Sequence, residues 1–305
     1  MKRFYISLVL TSAMSHFSGC SSEMPDMPDS NDELTSVSFN LSFSSLNNKD
    51  TRSLAPGYKF SDGSSISVLK CYVYPTSNGS NAEPSQIIDI PISSTNGVIG
   101  GNVSVSLPKG TDFDVVFLGT SIPQNDASSK LYYSTTGRSL SVDYSKVVAN
   151  DEELDCFFTS RANLTSDNVT YSDIVLSRPF AQLNIGTQDY VSYNASNPIS
   201  NISVSVDKVY SKVNLMDGSL IGDSSTVTLI GSAPSSQIFP VDGFSYLSMN
   251  YLLVNLRTLV DVTLTVNHSN AASASKVIPL GQMAVERNCQ TNAYSKTLLS
   301  DFTLE

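Results

Sequence analysis

Apolar residues recur at every second position along much of this chain, and that periodicity confines it to extended strands. Val37, Phe39, Leu41 and Phe43 alternate with Ser38, Asn40, Ser42 and Ser44. This is the pattern of a strand with one buried and one wetted face. Similar alternation runs through residues 66–68, 72–74, 103–107, 113–117, 202–206 and 262–266. Turn-forming pairs lie between the runs: Asp62-Gly63, Asn78-Gly79, Asn96-Gly97, Lys109-Gly110, Asp217-Gly218 and Asp242-Gly243. Gly and Asn supply the left-handed conformations such turns need. No amphipathic helix stands out. Many short strands separated by turns every ~10 residues predict an all-β chain of β-sandwiches. Pro179 closes one strand pattern before another opens at Phe180, which predicts one sandwich over residues 34–178 and a second over 179–305.

The N-terminus predicts where the chain travels. Lys2 and Arg3 precede an apolar run from Phe4 that continues less cleanly to Phe17. Ser18-Gly19-Cys20 then places small residues directly before a cysteine. This is the layout of a secretory signal peptide over residues 1–19, and Cys20 resembles the lipidated cysteine of a bacterial lipobox, with Phe17 where leucine is usual. An ordinary signal peptide with an incidental cysteine is the alternative. An acyl chain contributes about 0.8 kcal/mol per buried methylene, so two or more chains hold a protein stably at a membrane. Residues 20–33 carry Glu23, Asp26, Asp29, Asp32 and Glu33 with Pro25 and Pro28. Such a tether cannot bury enough apolar surface to fold. It is either a plain solvated linker or, by resemblance, the acidic surface-export signal of Bacteroidetes lipoproteins.

Composition excludes some partners. The formal charge of −10 becomes −12 once Lys2 and Arg3 leave with the signal peptide. No basic cluster offsets it, so the chain repels phosphate backbones and nucleic-acid binding is not expected. Tryptophan is absent, which argues against a sugar-stacking platform, although 14 tyrosines keep that option open. Beyond the leader no apolar run reaches the length of a membrane span. Cys71, Cys156 and Cys289 remain after Cys20. Either Cys71 pairs with Cys156 or all three are buried thiols acting as small hydrophobes.

Catalytic constellations are hard to assemble. His16 departs with the leader, leaving His268 in what reads as a turn after the 262–266 strand. One histidine supports neither a Ser-His-Asp triad nor a three-histidine zinc site. Gly97-Val98-Ile99-Gly100-Gly101 lacks the Lys-Ser/Thr of a phosphate loop and reads as a turn or bulge. Asp151, Glu152, Glu153 and Asp155 could hold calcium, but lack the ligand spacing and glycine of a calcium loop. A solvated acidic loop is the plainer reading. Asp112 and Asp114 flank Phe113 and are expected to face water. No cofactor, no metal and no enzymatic activity are expected, since nothing marks a paired-carboxylate hydrolase.

One segment suggests a different kind of function. The strand over residues 37–43 is followed by Asn47-Asn48-Lys49-Asp50-Thr51-Arg52-Ser53, a polar connection with an isolated arginine. Exposed polar loops are where proteases cut. Cleavage after Arg52 would leave the first strand held without a covalent link, and its loss would expose an apolar groove bordered by unpaired backbone groups. An ordinary first strand and loop is the bland alternative.

Three further segments then carry a resemblance. Ser177-Arg178-Pro179-Phe180-Ala181-Gln182-Leu183-Asn184, the run from Tyr246 to Val254, and Val285-Glu286-Arg287-Asn288-Cys289-Gln290-Thr291-Asn292 continuing to Leu298-Leu299 are, in this order, similar to segments of Bacteroidales fimbrillin-like proteins, the type V pilins and related surface lipoproteins. The resemblance implies two transthyretin-like β-sandwich domains in tandem, following a lipoprotein signal peptide and short tether. It implies a structural or accessory subunit of a cell-surface fimbrium acting in adhesion, exported as an outer-membrane lipoprotein. Carried over by position, Cys20 is the lipid site and Arg52-Ser53 the cut for an arginine-specific protease. Val37, Phe39, Leu41 and Phe43 form the removable first strand. Leu298, Leu299, Phe302 and Leu304 form the candidate donor segment entering a neighbouring subunit. The implied partners are other fimbrial subunits, the same chain or minor pilins, the protease, the outer membrane and a host or bacterial surface ligand. Cys289 stands where an aromatic is common in the closing motif. The chain also stops soon after Phe302, as a terminal, anchor or non-polymerising relative would. The alternative of another class is a monomeric surface lipoprotein that binds a glycan or host protein.

Overall fold

The computed structural model describes residues 33–43, 47–48, 66–76, 82–95, 98–121, 132–167, 169–232, 239, 243–270 and 273–300. Cys20, Arg52, Ser53, Phe302 and Leu304 lie outside them. The described chain is built almost wholly of strands. Through the first half run β1 (Leu34–Phe43), β2 (Asn47–Asn48), β3 (Val68–Pro75), β4 (Gln86–Asp89), β5 (Ile92–Thr95), β6 (Val98–Pro108), β7 (Asp112–Thr120), β8 (Tyr133–Thr136), β9 (Ser139–Val142), β10 (Cys156–Thr165) and β11 (Val169–Leu176). Then follow β12 (Phe180–Thr187), helix α1 (Tyr190–Ser196), β13 (Ile199–Val209), β14 (Lys212–Asn214), β15 (Ser225–Ser232), β16 (Ser245–Leu253), β17 (Arg257–His268), β18 (Lys276–Glu286) and β19 (Cys289–Ser295). The seven-residue α1, absent from the sequence expectation, buries none of its residues. Its Tyr190 and Tyr193 pack partly buried against the second of two hydrophobic cores, a stripe too short for periodicity to reveal.

The sheets pack as β-sandwiches. Sheet β11-β1-β6-β5 faces sheet β10-β7-β3-β4, and their inward residues form one core around Phe39, Val105, Val115 and Phe117. Sheets β16-β12-β19-β2 and β15-β13-β17-β18 contribute Leu183, Val204, Leu252 and Leu264 to a second core. A three-stranded sheet, β14-β9-β8, adds Leu140 and Val213 to the same core. In each sandwich the first strand lies inside its sheet. β1 runs antiparallel to β6 and parallel to β11, and β12 runs antiparallel to β16 and parallel to β19.

The inner strands β3 and β7 of sheet β10-β7-β3-β4 are buried on both faces. Cys71 and Val73 enter the first core, while Tyr72 and Tyr74 between them enter the second. In β7, Val115 and Phe117 face one core and Val116 and Leu118 the other. This geometry corrects two sequence expectations. Asp114 is buried, its carboxylate 2.6 Å from the Arg138 guanidinium and accepting the Asn163 N–H at 2.8 Å. Only Asp112 at the strand start is exposed. The cysteines at 71, 156 and 289 are all free and buried. Cys71 and Cys156 belong to different cores, on opposite faces of one sheet, so the alternative that they pair is ruled out for the folded chain.

Several polar side chains inside the fold are paired. Arg178 and Asp155, both fully buried, meet in a bidentate pair with Nε–Oδ1 at 2.7 Å and an Nη2–Oδ2 bond of 2.9 Å. The guanidinium also lies over the Phe157 ring, 4.0 Å from its centroid. On β12 and β19, Gln290 donates to Gln182 and Asn184 donates to Asn292, each at 2.9 Å, across paired positions of the parallel ladder.

Removing one partner from a dry ion pair leaves an uncompensated charge. Asp155→Ala is therefore expected to lower stability by about 3–5 kcal/mol, as a shift of the urea unfolding midpoint. A change near zero would show that Arg178 is solvated or repaired elsewhere.

Candidate functional site

The residues expected to form a removable strand are brought together in β1. Val37, Phe39 and Leu41 point into the first core, and Val37 and Phe39 have no exposed surface. Phe39 packs edge-on against Phe117 with centroids 5.1 Å apart and stacks on Tyr171 at 5.4 Å. Phe43, partly buried at the strand end, stacks on Phe157 at 4.8 Å. Each large apolar side chain buried here contributes about 1.5–3 kcal/mol. The opposite face is wet, and Ser38 and Ser104 share a hydrogen bond of 2.8 Å across β1 and β6.

Backbone pairing fixes the strand on both sides. β1 matches β6 from Leu34↔Pro108 to Ser42↔Gly100. Against β11 the ladder runs from Val37↔Val169 to Phe43↔Leu176, with a bulge between Phe39 and Leu41. Asp173, beside that bulge, holds φ 59°. At the strand start, Thr35 Oγ1 donates to the Ser166 carbonyl at 2.9 Å, and Lys109 pairs with Glu33 at 3.0 Å. The expected turn or bulge over residues 97–101 resolves differently at its end, where Gly100 and Gly101 are inside β6 opposite Ser42 and Leu41. A Cβ on Gly100 would collide with the Leu41 carbonyl, so only glycine admits β1 at this distance.

β2 is a contact the sequence did not signal. Asn47 and Asn48 pair in parallel with Cys289 and Gln290 at the outer edge of β19. Two polar residues carry no periodicity, so nothing in the residues themselves marked them as a strand.

The expected donor segment divides. Leu298 and Leu299 have no exposed surface and belong to the second core of their own chain. The Asp189 carboxylate accepts the Leu299 N–H at 3.1 Å, the Ser300 N–H at 2.8 Å and the Ser300 hydroxyl at 2.7 Å. Lys276 donates to the Leu299 carbonyl and, at 3.4 Å, to the Ser300 carbonyl. The residues just before position 301 are thus gripped on both their N–H and C=O sides.

The candidate catalytic and metal residues are dispersed among structural roles. His268 closes β17 rather than lying in a turn, and its ring bonds to the Tyr193 hydroxyl and the Ala274 carbonyl, each at 3.1 Å. Asp151 caps a short 3-10 turn through the Glu153 N–H at 3.0 Å and accepts from the Tyr132 hydroxyl. Glu152 accepts from Tyr251 at 3.1 Å, and Asp155 is committed to Arg178. Among the described residues no group of three His, Cys, Asp or Glu side chains could hold a metal ion. No described helix is long and apolar enough to cross a membrane.

A family model described as a family of unknown function (DUF6562) matches residues 28–304. No curated protein matches the chain. Among solved structures, a candidate adhesin from Bacteroides ovatus is similar with a TM-score of 0.50 at 11% identity, over 86% of this chain and 87% of that one. A fimbrial assembly protein from Parabacteroides distasonis gives 0.46 at 9% identity, over 89% of this chain and 99% of that one. A candidate polysaccharide binding protein from Bacteroides thetaiotaomicron gives 0.47 at 12%, over 85% and 90%. At such identities the likeness concerns the fold.

Two outcomes are expected of this site. Phe39→Ala should cost about 3–5 kcal/mol in chemical denaturation, and a cost under about 1 kcal/mol would mean that β1 is not packed as described. Burial also pushes the Cys71 thiol up to about 12. An unfolded thiol titrates near ~8.5, so the folded state binds the proton more tightly. That contribution is full below the unfolded value and is lost as pH rises toward about 12. Cys71→Ala should flatten the alkaline fall in stability, and an unchanged slope would refute the assignment.

Proposed function

The chain belongs to the DUF6562 family, matched over residues 28–304, and from that premise we propose that it is a structural or accessory subunit of a cell-surface fimbrium. It is made as a lipoprotein precursor anchored through Cys20 and assembles by strand exchange after an arginine-specific protease cuts between Arg52 and Ser53. The fimbrillin-like resemblance of the sequence motifs supports this reading, and the fold is compatible with it.

The observation that carries the proposal is the place of β1. It is the first strand of the chain, yet it fills the interior of its sheet between β6 and β11. After cleavage at Arg52, β1 and β2 would be held by hydrogen bonds and packing alone, since the described cysteines form no disulfide. Loss of β1 would leave two strand edges facing each other across an apolar trough floored by Phe117 and Val115. Another strand would restore both ladders, with backbone bonds supplying affinity and alternate side chains fixing register.

The donor side of the exchange is less free. The proposed donor runs from Leu298 to Leu304, but Leu298 and Leu299 sit in the chain's own core. Withdrawing them costs about 1.5–3 kcal/mol each, besides the Asp189 and Lys276 contacts. This favours a subunit that accepts a strand more readily than it donates one, as an accessory or terminal subunit would. A monomeric surface protein binding a glycan or host protein is the second reading, supported by the same seated C-terminal end.

N-terminal peptide mass spectrometry on protein sheared from cells, beside an unboiled gel, tests the proposal. A new terminus at Ser53 in a ladder of multimers is expected. Arg52→Ala should keep the acylated Cys20 terminus and abolish the ladder. A wild-type chain that keeps Cys20 and runs as one monomer band would overturn strand exchange in favour of the second reading.

A further inference from the structure

Where sheet β14-β9-β8 turns away from the core, it carries a small basic pocket. Register places its lining. Val213 and Leu140 are paired and point into the core, so their neighbours face outward. Ser139 lies between Thr136 and Asn214, making a polar row across the three strands. Lys212 projects from the same face of β14, two residues from Asn214. Met216 and Ile221 add an apolar wall, and the pocket volume is about 330 Å³.

The charge here runs against that of the chain. Arg138 and Lys212 line the pocket and no acidic side chain does. Arg138 is fixed from beneath by Asp114 at 2.6 Å and by the Tyr74 ring, 5.0 Å from its centroid. Its Nε has no acceptor among the described residues. Asp114 offsets much of its charge, so Lys212, which pairs with no described carboxylate, carries the net positive charge. Asp217 on the adjoining turn is engaged by the Ser219 N–H at 2.8 Å and hydroxyl at 2.6 Å.

The wall is held rigid. Ser160 donates to the Met216 carbonyl at 2.5 Å, and Arg287 donates to the Gly218 carbonyl at 2.5 Å and the Val254 carbonyl at 2.6 Å. Gly218 takes φ +72°, a conformation that other residues adopt only with strain. A preformed site loses less ordering entropy on binding.

From these features we infer that the pocket binds one carboxylate-bearing monosaccharide, a sugar acid of the uronic type. The ammonium of Lys212, backed by Arg138, takes the carboxylate. The Thr136 hydroxyl and Asn214 amide meet ring hydroxyls, and Met216 and Ile221 cover the apolar ring face. A lone anion needs neither that volume nor the apolar wall. Small-molecule sites combine an apolar lining with a few placed polar groups in this way. The inference does not depend on strand exchange.

The test is calorimetric titration of the purified chain at low salt with D-glucuronate, D-glucose, acetate and N-acetyl-dialanine. Glucuronate should bind saturably with one site per chain, and the other three at least ~10-fold more weakly. Lys212→Met should weaken glucuronate binding at least ~10-fold without moving the unfolding midpoint, because Lys212 pairs with no described carboxylate. Asn214→Ala should weaken both glucuronate and any residual glucose binding. Absence of saturable binding, or a Lys212→Met variant that binds normally, overturns the site. Equal binding of acetate overturns the sugar assignment, and equal or tighter binding of N-acetyl-dialanine assigns the pocket to a peptide carboxylate instead.

Discussion

The strands β3 and β7 serve two cores at once, and the rest of the molecule is arranged around that constraint. A strand has only two faces, so burying both leaves no position for a solvated side chain along its middle. Tyr72, Val73 and Tyr74 of β3 are all buried, although alternate residues belong to different cores. Any polar group on such a strand needs a partner within the fold. Asp114 has Arg138, Tyr74 has the Gly137 carbonyl at 2.9 Å, and Asp155 at the head of β10 has Arg178. The same two-sided burial separates Cys71 from Cys156 and keeps both reduced.

How far the fold was legible follows from this. Strands with one wet face announced themselves: β1, β6, β13 and β17 show clean alternation, and apart from Thr35 their large buried residues are those of the apolar set. Turns at Gly110 and Gly218 were legible because both hold the positive φ that glycine permits. Strands covered on both sides were less legible. Gln182 and Asn184 alternate with Leu183 and Ile185 as a wet face would, yet all four are buried, because a period of two reports the pleat and not what lies beyond it. Asp114 was assigned to solvent for the same reason. The candidate strand site was visible as β1, but its contacts with β11 and the seating of Leu298 and Leu299 depend on residues more than a hundred positions away or on pairing that no local pattern encodes.

The two ends of the chain are treated unequally. The N-terminal strand is bound through ladders and packing, and nothing but the connection after it makes its attachment covalent. The C-terminal residues before position 301 are gripped by a carboxylate on one side and an ammonium on the other. A first strand held without a disulfide, beside clamped residues 298–300, fits the proposed role of receiving a strand. The basic pocket on sheet β14-β9-β8 sits on a different sheet from β1, so occupancy of one need not disturb the other.

The parallel pairing of β1 with β11 also bears on the order of events during synthesis. Thr35 finds its partner at Ser166, 131 residues later. β1 is among the first parts of the folded region to emerge, yet one side of its slot does not exist until β11 has followed. Contacts of such long sequence separation form slowly. During that interval the slot is open, and the covalent connection to the rest of the chain is what keeps β1 nearby. That tether favours the chain's own strand over one from another molecule. Were the connection cut, as proposed, the slot would be decided by ordinary concentration and by dissociation rate.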